Sequence, residues 1–148
     1  MGAYSEAYLQ EIVETQGELF ENVEEYAPDI DVKDFIETYM SGKTREYVDG
    51  AKAYVCTMDA ESLWGYFKRE ESFHPKKGNP IGGFIPNWIG QFYAYFQWYY
   101  GIASRELVKL LPVDFLIAAY RGLHDLDLEL AVRKVGEQCG CNKGNRIS

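Results

Sequence analysis

The chain has 148 residues, 47% of them hydrophobic and 16% aromatic, enough apolar matter for one core-bearing domain without disulfide staples. Its net charge of −8 argues against recognition of a phosphate backbone, which draws on clustered Lys and Arg. No apolar run approaches the roughly 20 residues of a membrane span, and the opening MGAYSEAYLQ lacks the basic and apolar regions of a secretory signal.

Three cysteines in such a chain fit a reducing cytoplasm, which is the expected location. Gly2 through Ser5 match a myristoylation signal only loosely. Charge is unevenly placed. Up to Glu71 there are 17 acidic and 6 basic residues, whereas the remainder is close to neutral.

In chain order, Ser5 is placed to cap a first helix reaching about Tyr26. Tyr8, Leu9, Ile12, Val13, Leu19, Phe20 and Val23 recur with helical spacing, and seven glutamates from Glu6 to Glu25 cover the other side. That charge run reads as a solvated face, or as an acidic docking surface for a basic partner. Pro28 interrupts the chain, and Asp31 is the next N-cap, before the amphipathic set Val32, Phe35, Ile36, Tyr39 and Met40. Thr44 is placed to cap a short piece carrying Tyr47 and Val48. Ala53–Thr57 reads as an irregular buried segment in which Cys56 packs. Asp59 caps a helix that turns Leu63, Trp64 and Phe67 inward. Residues 72–83 hold two prolines and three glycines and read as a loop long enough to be functional.

The densest stretch follows. Between Phe92 and Tyr100 only Ala94 and Gln97 are not aromatic. Pro86 suits a first helical turn and Gly101 a left-handed cap, which bounds about four turns of helix. Trp88, Phe92, Tyr95, Phe96 and Tyr99 share one face, with Gln91, Ala94 and Gln97 on the narrow remaining side. A helix apolar nearly all round is buried, and its phenol and indole groups then need hydrogen-bond partners. Tyr and Trp are also enriched at interfaces, so part of the helix is expected to face a groove or a partner.

Ser104 is placed to cap the next helix, Pro112 starts another ended by Gly122, and Asp125 caps the last. The reading is an all-α, compact bundle of about five to seven helices around a central aromatic-rich helix. Residues 1–138 form a single helical domain and residues 139–148 a flexible tail.

Few constellations carry chemistry. QWYYGIASRELVKLL has the helix–Gly–helix spacing of a helix-turn-helix, yet offers a groove only Arg105 and Lys109. His124 to Glu129 is rich in carboxylates, but acids at a helix start serve the cap and the dipole. Cys139 and Cys141 lack the further ligands a zinc site needs. No nucleophile motif is present, so no catalytic residue, metal or cofactor is assigned. The candidate partner- or ligand-binding residues are Trp88, Tyr95, Trp98, Tyr99, His124 and Asp125.

The pieces Trp88-Ile89-Gly90, Phe92-Tyr93-Ala94-Tyr95, Gln97-Trp98-Tyr99-Tyr100, Gly122-Leu123-His124-Asp125-Leu126 and Lys134-Val135-Gly136 resemble a family of small Firmicutes proteins encoded near ADP-ribosyltransferase-like toxin genes. The resemblance covers most of residues 57–138 and does not include the two-cysteine tail. It implies no chemistry. By gene neighbourhood it implies an antitoxin or accessory component of a toxin–antitoxin or defence system, with a toxin as protein partner. The alternative is a nucleotide-type small-molecule binder or enzyme, with the 72–83 loop covering a pocket lined by Trp88, Tyr95, Tyr99 and His124.

Overall fold

The computed structural model describes residues 4–141, so the Gly2 signal and residues 142–148 lie outside the described part. The fold is all-α: among the described residues there are nine α-helices and no strand, only one isolated bridge between Ile30 and Lys77. The number exceeds the five to seven expected, and one of the helices is a single turn at Ala53–Cys56, where the sequence suggested irregular chain.

Ser5 caps a short 3-10 turn by accepting from the Ala7 N–H, and α1 (Leu9–Tyr26) continues from it. Asp31 caps α2 (Val32–Ser41) through the Asp34 N–H at 3.0 Å. Asp59 caps α5 (Ala60–Glu70) through the Ser62 N–H at 2.8 Å. At these three places a short oxygen-bearing side chain just ahead of the helix accepts from its first turn.

Elsewhere several helix ends differ from those the sequence suggested. Helix α3 (Lys43–Asp49) starts at Gly42 and not at Thr44, and the Thr44 N–H is satisfied by Glu71 Oε2 at 2.8 Å. Ala53–Cys56 is a single helical turn, α4, not irregular chain. The aromatic helix α6 (Ile85–Tyr100) has Pro in its first turn and ends on Gly101 at φ 67°, a conformation glycine adopts without Cβ strain. Helix α7 (Ser104–Leu110) takes Ala103 as its N-cap, with Ser104 one residue inside. Helix α8 (Val113–Leu123) runs through Gly122. Helix α9 (Leu128–Gln138) starts after Asp127, not Asp125.

Helix α9 closes with a Schellman arrangement. Gly140 sits at φ 78°, the Cys141 N–H donates to Gly136 O at 2.8 Å, and the Gly140 N–H to Glu137 O at 3.2 Å. Cys139 to Cys141 are thus a cap with Cys141 buried, although their composition reads as tail.

The core is continuous, and α6 touches α1, α7, α8 and α9. A second aromatic cluster lies at the far end of α1, where Phe20, Phe35, Tyr39, Trp64, Phe67 and Phe73 meet mostly edge to face. The α1–α6 crossing is a backbone contact. A Cβ on Gly90 would lie 2.5 Å from the Gln16 carbonyl oxygen and 2.9 Å from Gly17 Cα. The two backbones therefore touch, and Gln16 Nε2 donates across the crossing to Gly90 O at 2.8 Å. Among the described residues no helix is long and apolar enough to cross a membrane.

Residues 72–83 are a loop held against the α1–α2 turn. The Asp31 N–H donates to Lys76 O at 2.7 Å and the Gly78 N–H to Asp29 O at 3.1 Å. These bonds clamp the loop to the α1–α2 turn, and Phe73 anchors it in the second aromatic cluster.

Candidate functional site

The six residues singled out from the sequence fall into two groups. Tyr95, Trp98 and Tyr99 form one on the C-terminal half of α6. Their rings contact one another, with Tyr95–Trp98 centroids at 5.5 Å edge to face and Tyr95–Tyr99 at 6.3 Å stacked. All three are half-buried, while Phe92, Tyr93, Ala94, Phe96 and Gln97 around them are fully enclosed. Of the narrow side, Ala94 and Gln97 face inward, and the partly exposed surface of α6 is shared by Gln91 and the three rings.

Tyr95 donates its hydroxyl to Glu129 Oε1 of α9 at 3.3 Å. Burial, reinforced by the Glu129 carboxylate, pushes the Tyr95 phenol up to about 12. Glu129 also faces Arg133 at 3.8 Å. The phenols of α6 do not converge on one spot. Tyr93 donates to Leu111 O at 2.6 Å, Tyr95 reaches α9, and Tyr100 packs against Gly136.

The second group is a chain of rings. Trp88 is only 5% exposed and meets Tyr120 edge to face at 5.5 Å. Tyr120 in turn stacks on His124 at 4.4 Å and 12°. Tyr120 thus contacts both Trp88 and His124. His124 and Asp125 are exposed. His124 Nδ1 is 2.9 Å from Tyr120 O, and its Nε2 is 3.1 Å from Asp125 Oδ1, an arrangement that finishes α8 and orients the turn into α9.

A polar cluster that the sequence reading missed lies beneath α6. Arg45 is completely buried. Its Nε donates to Gln16 Oε1 at 2.7 Å, its Nη1 to Asp49 Oδ1 at 2.7 Å, and its guanidinium sits 5.6 Å from the Tyr4 ring centroid. Asp49 Oδ1 also accepts from Gln97 Nε2, and its Oδ2 accepts from Ser104 N at 3.0 Å and Ser104 Oγ at 3.2 Å. One carboxylate therefore ties α3 to α6 and caps α7 from outside it, which is why Ser104 does not cap its own helix. Tyr4 closes the cluster, its hydroxyl donating to Ala94 O. The available signal was Arg45 and Asp49 at i, i+4 on a short helix. Their burial had no signal in the sequence.

Burial raises the phenols of Tyr4, Tyr39 and Tyr93 above the ordinary tyrosine range and pushes the Cys56 thiol up to about 11 from 9.0. Each folded-state value is raised, so the stability these groups contribute is full below their unfolded values and is lost as pH climbs. Helical ellipticity should hold up to about pH 9 and then collapse through about pH 10–12, together with a cooperative rise in tyrosinate absorbance. Tyrosines titrating independently of unfolding would contradict the buried phenols.

The α1 face carries Glu11, Glu14, Glu18, Glu21 and Glu25 exposed to solvent. Among the described residues none of them makes an ion pair with Lys or Arg. Glu21 accepts from Asn87 Nδ2 of α6 at 2.7 Å, which sets this glutamate stripe beside the Asn87–Gln91 edge of the aromatic helix.

Compared with protein-family models, curated proteins and solved structures, the chain matches none.

Proposed function

We propose that the chain is a protein-interaction module, organised around α6, that captures a basic partner with the Tyr95–Trp98–Tyr99 rings and the glutamate face of α1. The observation that carries this reading is the placement of those rings. They remain half-buried and in mutual ring contact on a helix whose other aromatic residues are enclosed. Large, stiff aromatic side chains at a surface bind at low entropic cost and are frequent hot spots. Their π faces attract guanidinium and ammonium groups. The α1 carboxylates raise the encounter rate with such a partner and select its register. The family resemblance supplies the partner class, a companion toxin, with this chain as antitoxin or accessory component.

The test is capture of companion proteins from the host, with Trp98→Ala and Tyr95→Phe compared with wild type after circular dichroism has shown each variant folded. Trp98→Ala should lower capture about tenfold or more, the scale of a hot-spot truncation. Tyr95→Phe, which keeps the ring and loses the Glu129 bond, should lower it less. High salt should weaken wild-type capture by screening the glutamates. Capture that survives Trp98→Ala in a folded variant removes the proposal.

A further inference from the structure

Helices α8 and α9 both lean on α6 but barely meet each other. Between them lies an open cavity of about 630 Å³, floored by Ala118, Ala119 and Gly122 and rimmed by Phe115, Lys134 and Glu137. It shares no residue with the Tyr95–Trp98–Tyr99 cluster. Gly122 has open space where a Cβ would stand, and Phe115 beside the groove is 40% exposed. Residues 115, 118, 119 and 122 fall at i, i+3, i+4 and i+7, so the ring and the hollow occupy one stripe of α8. They are separated by about 10 Å along the axis.

We infer that this groove is a homodimer interface in which α8 of a second copy lies antiparallel against α8. Both the protrusion and the cavity that would receive it are on the same helix, as a two-fold axis requires. With that axis between Ala118 and Ala119, Phe115 of each copy enters the hollow at Gly122 of the other. Small residues at the crossing let the two helices approach closely. The charges agree. Asp114 and Arg121 stand seven residues apart on one flank of the stripe and carry opposite signs. Antiparallel pairing sets Asp114 of one copy opposite Arg121 of the other, twice. A different helical partner would need no such symmetry in ring, hollow and charge. Asp114 also meets Lys33 of its own chain at 2.6 Å, an exposed pair that leaves most of its carboxylate accessible.

Sedimentation velocity of the full chain over a concentration series reads the oligomeric state. Wild type should sediment at twice the chain mass at micromolar concentration, and Phe115→Glu should be monomeric with an unchanged helical spectrum. Arg121→Asp alone should weaken the dimer about tenfold, since it replaces two attractions with two repulsions. Asp114→Arg combined with Arg121→Asp should restore wild-type dimerisation. Rescue by double reversal is not expected of residues that only stabilise the monomer. A chain that stays monomeric throughout overturns the inference and leaves the groove to another occupant. So does a dimer indifferent to Phe115→Glu, or one that the double reversal does not restore.

Discussion

Asp49→Ala should cost about 3–5 kcal/mol of folding stability, the scale of breaking a buried ion pair from one side. The reason is what remains. Arg45 stays completely buried with its charge uncompensated, and Gln97 Nε2 and the Ser104 N–H lose their acceptor. Asp49→Asn keeps the shape but not the chemistry. Both carboxylate oxygens accept hydrogen bonds, so an amide nitrogen at either position would face a donor. Pairing Asp49→Leu with Arg45→Met removes the stranded charge and should recover part of the loss. Recovery stays incomplete because Gln16, Gln97 and Ser104 were satisfied by the same pair. Urea denaturation measures all of these as a fall in midpoint at constant slope. A folded Asp49→Ala protein within about 1 kcal/mol of wild type would show that Asp49 does not hold α3, α6 and α7 together.

Gly90→Ala should destabilise by about 2–3 kcal/mol or more, against the direction that helix propensity favours. Alanine is better than glycine in a helix interior by about 1 kcal/mol. Here the added methyl would stand 2.5 Å from the Gln16 carbonyl oxygen, which is backbone and cannot rotate away. Overpacking of this kind costs about 1–3 kcal/mol in ordinary cores. It also drags apart the Gln16–Gly90 hydrogen bond at the crossing. Steric exclusion therefore outweighs propensity. Gly65→Ala is the matched control. Its Cβ would meet only Arg69 Nη1 at 3.7 Å, so propensity acts alone and the variant should gain up to about 1 kcal/mol. Thermal melts separate the two, with Gly90→Ala falling by about 5–10 °C and Gly65→Ala level or rising. Equal melting of Gly90→Ala and wild type would mean that α1 and α6 do not cross at backbone contact.

The aromatic helix shows how far local reading reaches. Its bounds follow from Pro86 and Gly101, and its burial from composition. Which rings would stay at the surface did not follow. On a helical wheel Tyr95 and Tyr99 share a face with Trp88 and Phe92, yet α8 and Tyr120 seal Trp88 while Tyr95 and Tyr99 remain half-open. Gln97 read as the polar edge and is enclosed, because Asp49 brings it an acceptor. The candidate list therefore joined residues by helical phase, and the neighbouring helices divided it.

The sequence by itself determined the helical class, the caps at Ser5, Asp31 and Asp59, the course of α6 and the loop at 72–83. All of these rest on interactions within a few residues, where side-chain type and spacing decide the outcome. Only the tertiary structure decided that Arg45 is buried, that Gly17 and Gly90 let two backbones touch, that Glu71 and Asp49 cap helices they do not belong to, and that α8 and α9 leave a groove. Each of these depends on partners tens of residues away, and residue type alone does not specify which partner arrives.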